Sequence, residues 1–255
     1  MTSDRGGRRR RRGRLLVALL ISLMVLVGAL VAADRVAVNF AEDRIAQNVR
    51  TRVAQHGLHS APPEVAIGGF PFVTQVIDGR YRSIRVSLRD VRGEVAGTTA
   101  RVPQLDVELR DVIASLDALR GGGVTARAVR GRATISYDTV EEFIDRPGLE
   151  LHEQDGQLHV VVPLPAFGRE FTLRGVAQLV VESQQVRLRV TELTAPDLPP
   201  LPELRALVDA YAEQISVRIP LPDLPFGLEV REAWATPDGI AVSADATDVR
   251  IDALA

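Results

Sequence analysis

The chain has 255 residues, 46% of them hydrophobic, with no cysteine and with 31 basic residues, all arginine, against 33 acidic ones. The missing cysteine excludes thiolate nucleophiles, cysteine-based zinc sites and iron–sulfur clusters, and the missing lysine excludes Schiff bases and P-loop lysines. Residues 1–14 hold seven arginines and one aspartate, so this head carries +6 of the overall −2 and the rest of the chain −8, a balance unsuited to nucleic acid.

Residues 15–33 carry no charge and no proline. As a helix they rise roughly 28 Å, close to the thickness of a bilayer's hydrocarbon core. Arginines stay on the cytoplasmic side, so everything after about residue 34 is expected outside. Two readings fit. The length favours an uncleaved transmembrane anchor, and the small residues Val31, Ala32 and Ala33 favour a secretory signal cut before Asp34. The expected organisation is a basic cytoplasmic head over 1–14, an anchor or signal over 15–33, and a single exported domain over 34–255.

A helix is predicted over 34–55, where Ala37, Ala41, Ile45, Val49 and Val53 recur every four residues and Gly57 and Pro62-Pro63 follow. The period then falls to two. In 82–90, Ile84, Val86 and Leu88 point one way and Ser83, Arg85, Ser87 and Arg89 the other, as in a half-buried strand. Similar alternation occupies 102–109, 124–137, 158–162, 170–181, 186–193, 215–219, 228–234 and 240–251. Asp78-Gly79, Asp155-Gly156 and Asp238-Gly239 lie between such runs and predict hairpin turns, hence antiparallel pairing. Shorter helices are predicted over 139–145 and 202–214, the second with Leu204, Leu207, Val208, Tyr211 and Ile215 on one face. Strands closing on Asp90-Val91 and Asp248-Val249 give the two ends of the domain a faint internal echo. The expected fold is α+β: one long, strongly curved antiparallel sheet wrapped round a few helices. The helices at 34–55 and 202–214 are little cover for about ten strands, and the uncovered apolar face points to a hydrophobic groove.

No G-x-S-x-G, H-E-x-x-H, G-x-G-x-x-G or P-loop pattern occurs. His152 and His159 face each other across the Asp155-Gly156 turn, with Glu150 and Glu153 nearby. That geometry suits a metal or a pH response, but a solvent-facing pair is the simpler reading. Glu141, Glu142 and Asp145 fall on the outer, solvated face of a short helix. Eleven aromatic residues are few for a sugar- or base-stacking surface. Phe70, Phe72 and Phe226 sit beside prolines, at a pocket mouth or in the core. No catalytic residue, metal or cofactor is predicted.

The stretch Gly68-Gly69-Phe70-Pro71-Phe72 with the following Tyr81-x-x-Ile84-x-Val86 strand resembles the LmeA family of actinobacterial cell-envelope proteins. Gly131-x-Ala133-x-Ile135-Ser136-Tyr137 and the late Pro225-Phe226-Gly227-Leu228 extend the match in the right order over most of 34–255. The resemblance implies a phospholipid-binding protein at the outer face of the plasma membrane, linked in mycobacteria to elongation of mannose-bearing lipoglycans. It implies a fold similar to tubular lipid-binding domains, and it brings no catalytic residues.

The leading expectation is therefore a non-enzymatic protein that binds or shuttles phospholipid, held at the outer face of the plasma membrane by its N-terminal helix or, if the segment is cleaved, exported to the cell envelope. Its expected lipid-facing residues are Phe70, Phe72, Ile84, Val86, Leu88, Leu204, Leu207, Val208, Tyr211 and Phe226. The alternative is an anchored interaction module of the envelope with a self-packed core and no ligand.

Overall fold

The structure is a computed structural model that describes residues 7–55, 57–95, 98–114, 123–166, 169–182, 185–194, 202–219, 224 and 227–251. In chain order its elements are α1 (Gly7–Gln55), β1 (Glu64–Gly68), α2 (Phe72–Asp78), β2 (Arg80–Val95), β3 (Thr98–Ile113), β4 (Val124–Ile135), α3 (Tyr137–Ile144), β5 (Glu150–Gln154), β6 (Gln157–Ala166), β7 (Arg169–Glu182), β8 (Gln185–Thr194), α4 (Pro202–Ile215), β9 (Arg218–Ile219), β10 (Glu229–Thr236) and β11 (Gly239–Ile251).

The apolar segment and the helix expected after it are one unbroken helix of 49 residues. Within it, Leu19–Gln55 contains an apolar window long and uncharged enough to cross a bilayer. Leu20, Met24, Val27 and Leu30 are exposed, as a lipid-facing helix would be, whereas Asp34 and Val38 are each only 5% exposed. The burial begins where the helix meets the sheet. There the Ile67 N–H on the free edge of β1 donates to Glu42 Oε1 (2.7 Å), so α1 closes a sheet edge that would otherwise offer unpaired backbone.

Antiparallel pairing dominates as expected, and it divides into two sheets: a six-stranded one in the order β1-β2-β3-β4-β11-β10 and a five-stranded one in the order β5-β6-β7-β8-β9. Two of the Asp-Gly pairs turn hairpins, β5–β6 and β10–β11. The third does not. Asp78 ends α2, and Gly79, at φ 61°, caps it by donating to the Gln75 and Val76 carbonyls. A left-handed glycine serves a helix end as well as a turn, and that ambiguity hides α2 in the sequence. The strand expected at 215–219 is only Arg218–Ile219, since Ile215 still belongs to α4.

The alternation itself breaks, in a coordinated way. The inward residues of β2 run Tyr81, Ile84, Val86, Leu88, Val91, with a step of three at each end. The same step separates Leu109 from Val112 in β3, Ala126 from Val129 in β4 and Ala246 from Val249 in β11. Yet Tyr81 pairs with Val112, Val112 with Ala126 and Ala126 with Val249. All four strands spend their extra residue at one level, so the register survives while the apolar side is carried across the change in phase. Asp90, Asp111 and Asp248 lie at these steps with φ of 49°, 50° and 53°, a left-handed conformation that aspartate tolerates better than most residues. Each precedes a valine, so the Asp-Val echo marks kinks in the sheet.

The larger core joins the five-stranded sheet, α3 and α4 to the end of the six-stranded sheet, with Val162 and Leu173 fully buried and Val208, Val230 and Ile240 beside them. A smaller one forms at the kink from Val112, Ala126, Val129 and Val249, with Tyr81, Ile84 and Leu109 packed against it.

Candidate functional site

Cross-strand pairing lays three aliphatic rows along one face of the six-stranded sheet. One runs Ile67, Ile84, Leu109, Val129, Ala246. The next runs Val65, Val86, Val107, Gly131, Ala244, Val230. The third runs Leu88, Leu105, Ala133, Val242, Ala233. Towards β10 this face enters the larger core. Along β1–β3 it is mostly half-buried, with Val65, Ile67, Ile84, Val86, Leu105, Val107 and Leu109 all retaining exposure. Over β4 and β11 the rows continue in the small residues Gly131, Ala133, Ala244 and Ala246.

The expected lipid-facing residues are distributed over three places. Ile84, Val86 and Leu88 lie on the aliphatic rows, with Leu88 at 8% exposure. Val208 is buried and Tyr211 half-buried in the larger core, where Tyr211 OH donates to the Pro163 carbonyl (3.2 Å). Ile84 packs against the smaller core, whereas Val208 and Tyr211 belong to the larger one. Phe72 is buried with its ring 6.3 Å from Tyr81, and Phe70 is 44% exposed under the Arg35 guanidinium, 5.6 Å from its ring. Leu204 and Leu207 belong to α4, but their side chains lie outside the described residues, as does Phe226.

Near Phe70 the sequence reading missed α2. The Val73 N–H at its first turn donates to Asp34 Oδ1 (2.9 Å), tying α2 to the residue directly after the apolar segment. On α2, Val73 is 45% and Ile77 74% exposed. Four residues apart on a helix, they share a face, so two large apolar side chains are exposed on α2, which is tied to α1 at the end of its apolar stretch, and Phe70 lies nearby beneath Arg35.

The other face of the six-stranded sheet is charged. Arg85 and Arg110 both reach Glu108 (3.2 Å each), and Arg101 reaches Asp90 (2.8 Å). Hydrogen bonding to Arg110, with Arg85 adding its charge, holds the Glu108 carboxyl below its ordinary range, and the Arg101 hydrogen bond does the same for Asp90. At the α2 end of this face is a notch of about 350 Å³ whose rim includes Arg80, Arg82 and Arg127.

The histidines do face each other, their rings stacked at 5.5 Å. Among the described residues no group of three or more metal-ligating side chains accompanies them. Glu141 departs from the solvated position expected of it. It is half-buried and accepts the Leu151 N–H, fastening α3 to β5, and burial raises its carboxyl above the ordinary range. Tyr137 OH donates to the Thr236 carbonyl (2.7 Å), and burial pushes the phenol up to about 12.

The six-stranded antiparallel sheet thus has a half-covered aliphatic face and is joined to a long apolar helix. A family model described as LmeA-like phospholipid-binding matches residues 32–245, and the chain belongs to that family. No curated protein and no solved structure matches it.

Proposed function

We propose that the protein is a non-enzymatic phospholipid binder fixed at the outer face of the plasma membrane, where residues 34–255 act as one exported domain. The observation that carries this reading is the set of aliphatic rows on the six-stranded sheet, which offers acyl chains a surface where Ile84, Val86 and Leu88 form part of the wall. Each methylene buried there contributes about 0.8 kcal/mol, so affinity rises with chain length. The unbroken course of α1 through residues 33 and 34 supports retention of the segment as an anchor. The burial of Asp34 and its bond to Val73 support a domain seated close to the bilayer.

Mass spectrometry of the full chain, purified in a non-ionic detergent, is expected to find bound phospholipid. Val86→Asp is expected to remove it while the chain still folds, because an aspartate on that row repels acyl chains. A wild-type chain that is folded and free of lipid would instead favour an anchored interaction module with a self-packed core. Shuttling of the bound lipid, and support of lipoglycan or envelope assembly, are extensions of the same reading.

A further inference from the structure

The notch at the α2 end of the charged face has an unusual composition. Arg82 in β2, Asp111 in β3, Arg127 in β4 and Asp248 in β11 stand side by side at the kink, because the pairs on either side of each are in register. Arg80 and Ile113, themselves a pair, occupy the next row. Three guanidiniums against two carboxylates leave one net positive charge, in a domain that is otherwise acidic. On the same face Arg85, Arg89, Arg101 and Arg110 are paired with carboxylates. Among the described residues the side chains of Arg80, Arg82 and Arg127 enter no ion pair or hydrogen bond, although aspartates are their neighbours in the row.

Unpaired arginines lining one concavity suit a phosphate, whose oxygens accept a guanidinium's planar fork two at a time. The surroundings are those of an amphiphile's headgroup. Ile113 on the rim is 52% exposed, and Ile77, three residues before Arg80, is 74% exposed. The arginine row lies on the face opposite the aliphatic rows, since Arg82, Asp111 and Arg127 alternate with Tyr81, Val112 and Ala126 of the smaller core, of which half-buried Tyr81 and buried Val112 also line the notch. A lipid held here is therefore distinct from one lying against Ile84. Its chains would remain in the leaflet while its phosphate is gripped from outside. α2 spans only about 10 Å and is tied at its far end to Asp34, which puts the notch at headgroup height.

We propose that Arg80, Arg82 and Arg127 form a seat for the phosphate of a bilayer phospholipid, which docks the domain onto the membrane surface. The proposal rests on the membrane-facing placement argued above. The chain has no cysteine, so Ile77→Cys gives a single attachment point for an environment-sensitive fluorophore. The labelled full chain would be placed in nanodiscs of phosphatidylglycerol and in nanodiscs of a phosphate-free galactolipid. The expected result is apolar emission in phosphatidylglycerol only, lost in Arg82→Gln/Arg127→Gln and kept in Arg85→Gln, whose arginine is already paired with Glu108. The single variant Arg127→Gln, at an exposed position, should shift emission the same way and guards against a folding defect in the double variant. Emission indifferent to the arginines or to the lipid phosphate would overturn the seat. So would calorimetric binding of inorganic phosphate to the chain in galactolipid discs at micromolar concentration, which would assign the notch to a soluble anion. Absence of co-purified lipid would count against carriage on the aliphatic rows and leave this readout intact.

Discussion

Glu141 holds two elements together at an electrostatic cost. Its carboxylate accepts the Leu151 N–H, which favours the charged form, but burial outweighs that bond and raises its folded pKa. A carboxyl raised on folding contributes stability that is fully present below the ordinary glutamate range and is lost as pH rises through the folded value. Glu141→Gln keeps an acceptor for Leu151 and removes the charge. Its urea midpoint is expected to exceed the wild type's by an amount that is smallest at about pH 4 and grows towards about pH 7. A gain equal at both ends of that range would show that desolvation of the carboxylate is not the cause. The neighbouring Tyr137–Thr236 bond ties α3 to the β10–β11 hairpin without any such dependence near neutrality, because the phenol sits at about 12.

At the scale of elements, the kinks determine what the sheet can do. They preserve register across four strands while letting the apolar side change phase, and the row they create on the opposite face becomes the rim of the notch. Asp111 sits there at φ 50°. Asp111→Val places a β-branched residue in the left-handed region and is expected to cost about 1–2 kcal/mol, whereas Asp111→Gly should cost nothing or stabilise slightly. Chemical denaturation of the two variants decides this, and equal losses would mean the carboxylate matters more than the backbone. The kinks also mark where sequence reading stops. Period-two alternation locates most of the strands, and Ile84, Val86 and Leu88 lie on the inward face as read. Val91, Val112 and Val249 fall out of phase, and only long-range pairing shows that the phase change is shared. α2 is obscured for a related reason: seven residues between a proline and a left-handed glycine carry little periodicity, and part of their anchorage is Asp34, 39 residues earlier. Arg82 and Arg127 look like ordinary solvated charges until four strands align them.

For the whole molecule, the decisive relation is between the N-terminal helix and the domain it carries. Asp34 and Glu42 bind α2 and β1 directly, so the domain is fastened to the second half of the helix. In the anchored form α1 is then a ruler: each residue before Asp34 sets the standoff height in steps of about 1.5 Å. Seven alanines inserted after Ala33 would leave every contact of the domain intact and lift it by about 10 Å. Depth-dependent quenching of the Ile77→Cys label should then report a probe withdrawn from the interface in a chain with unchanged thermal stability. An unchanged depth would mean that the domain finds the membrane by another surface. A protein built this way has little freedom to search, and its reach for lipid is graduated along the helix that holds it.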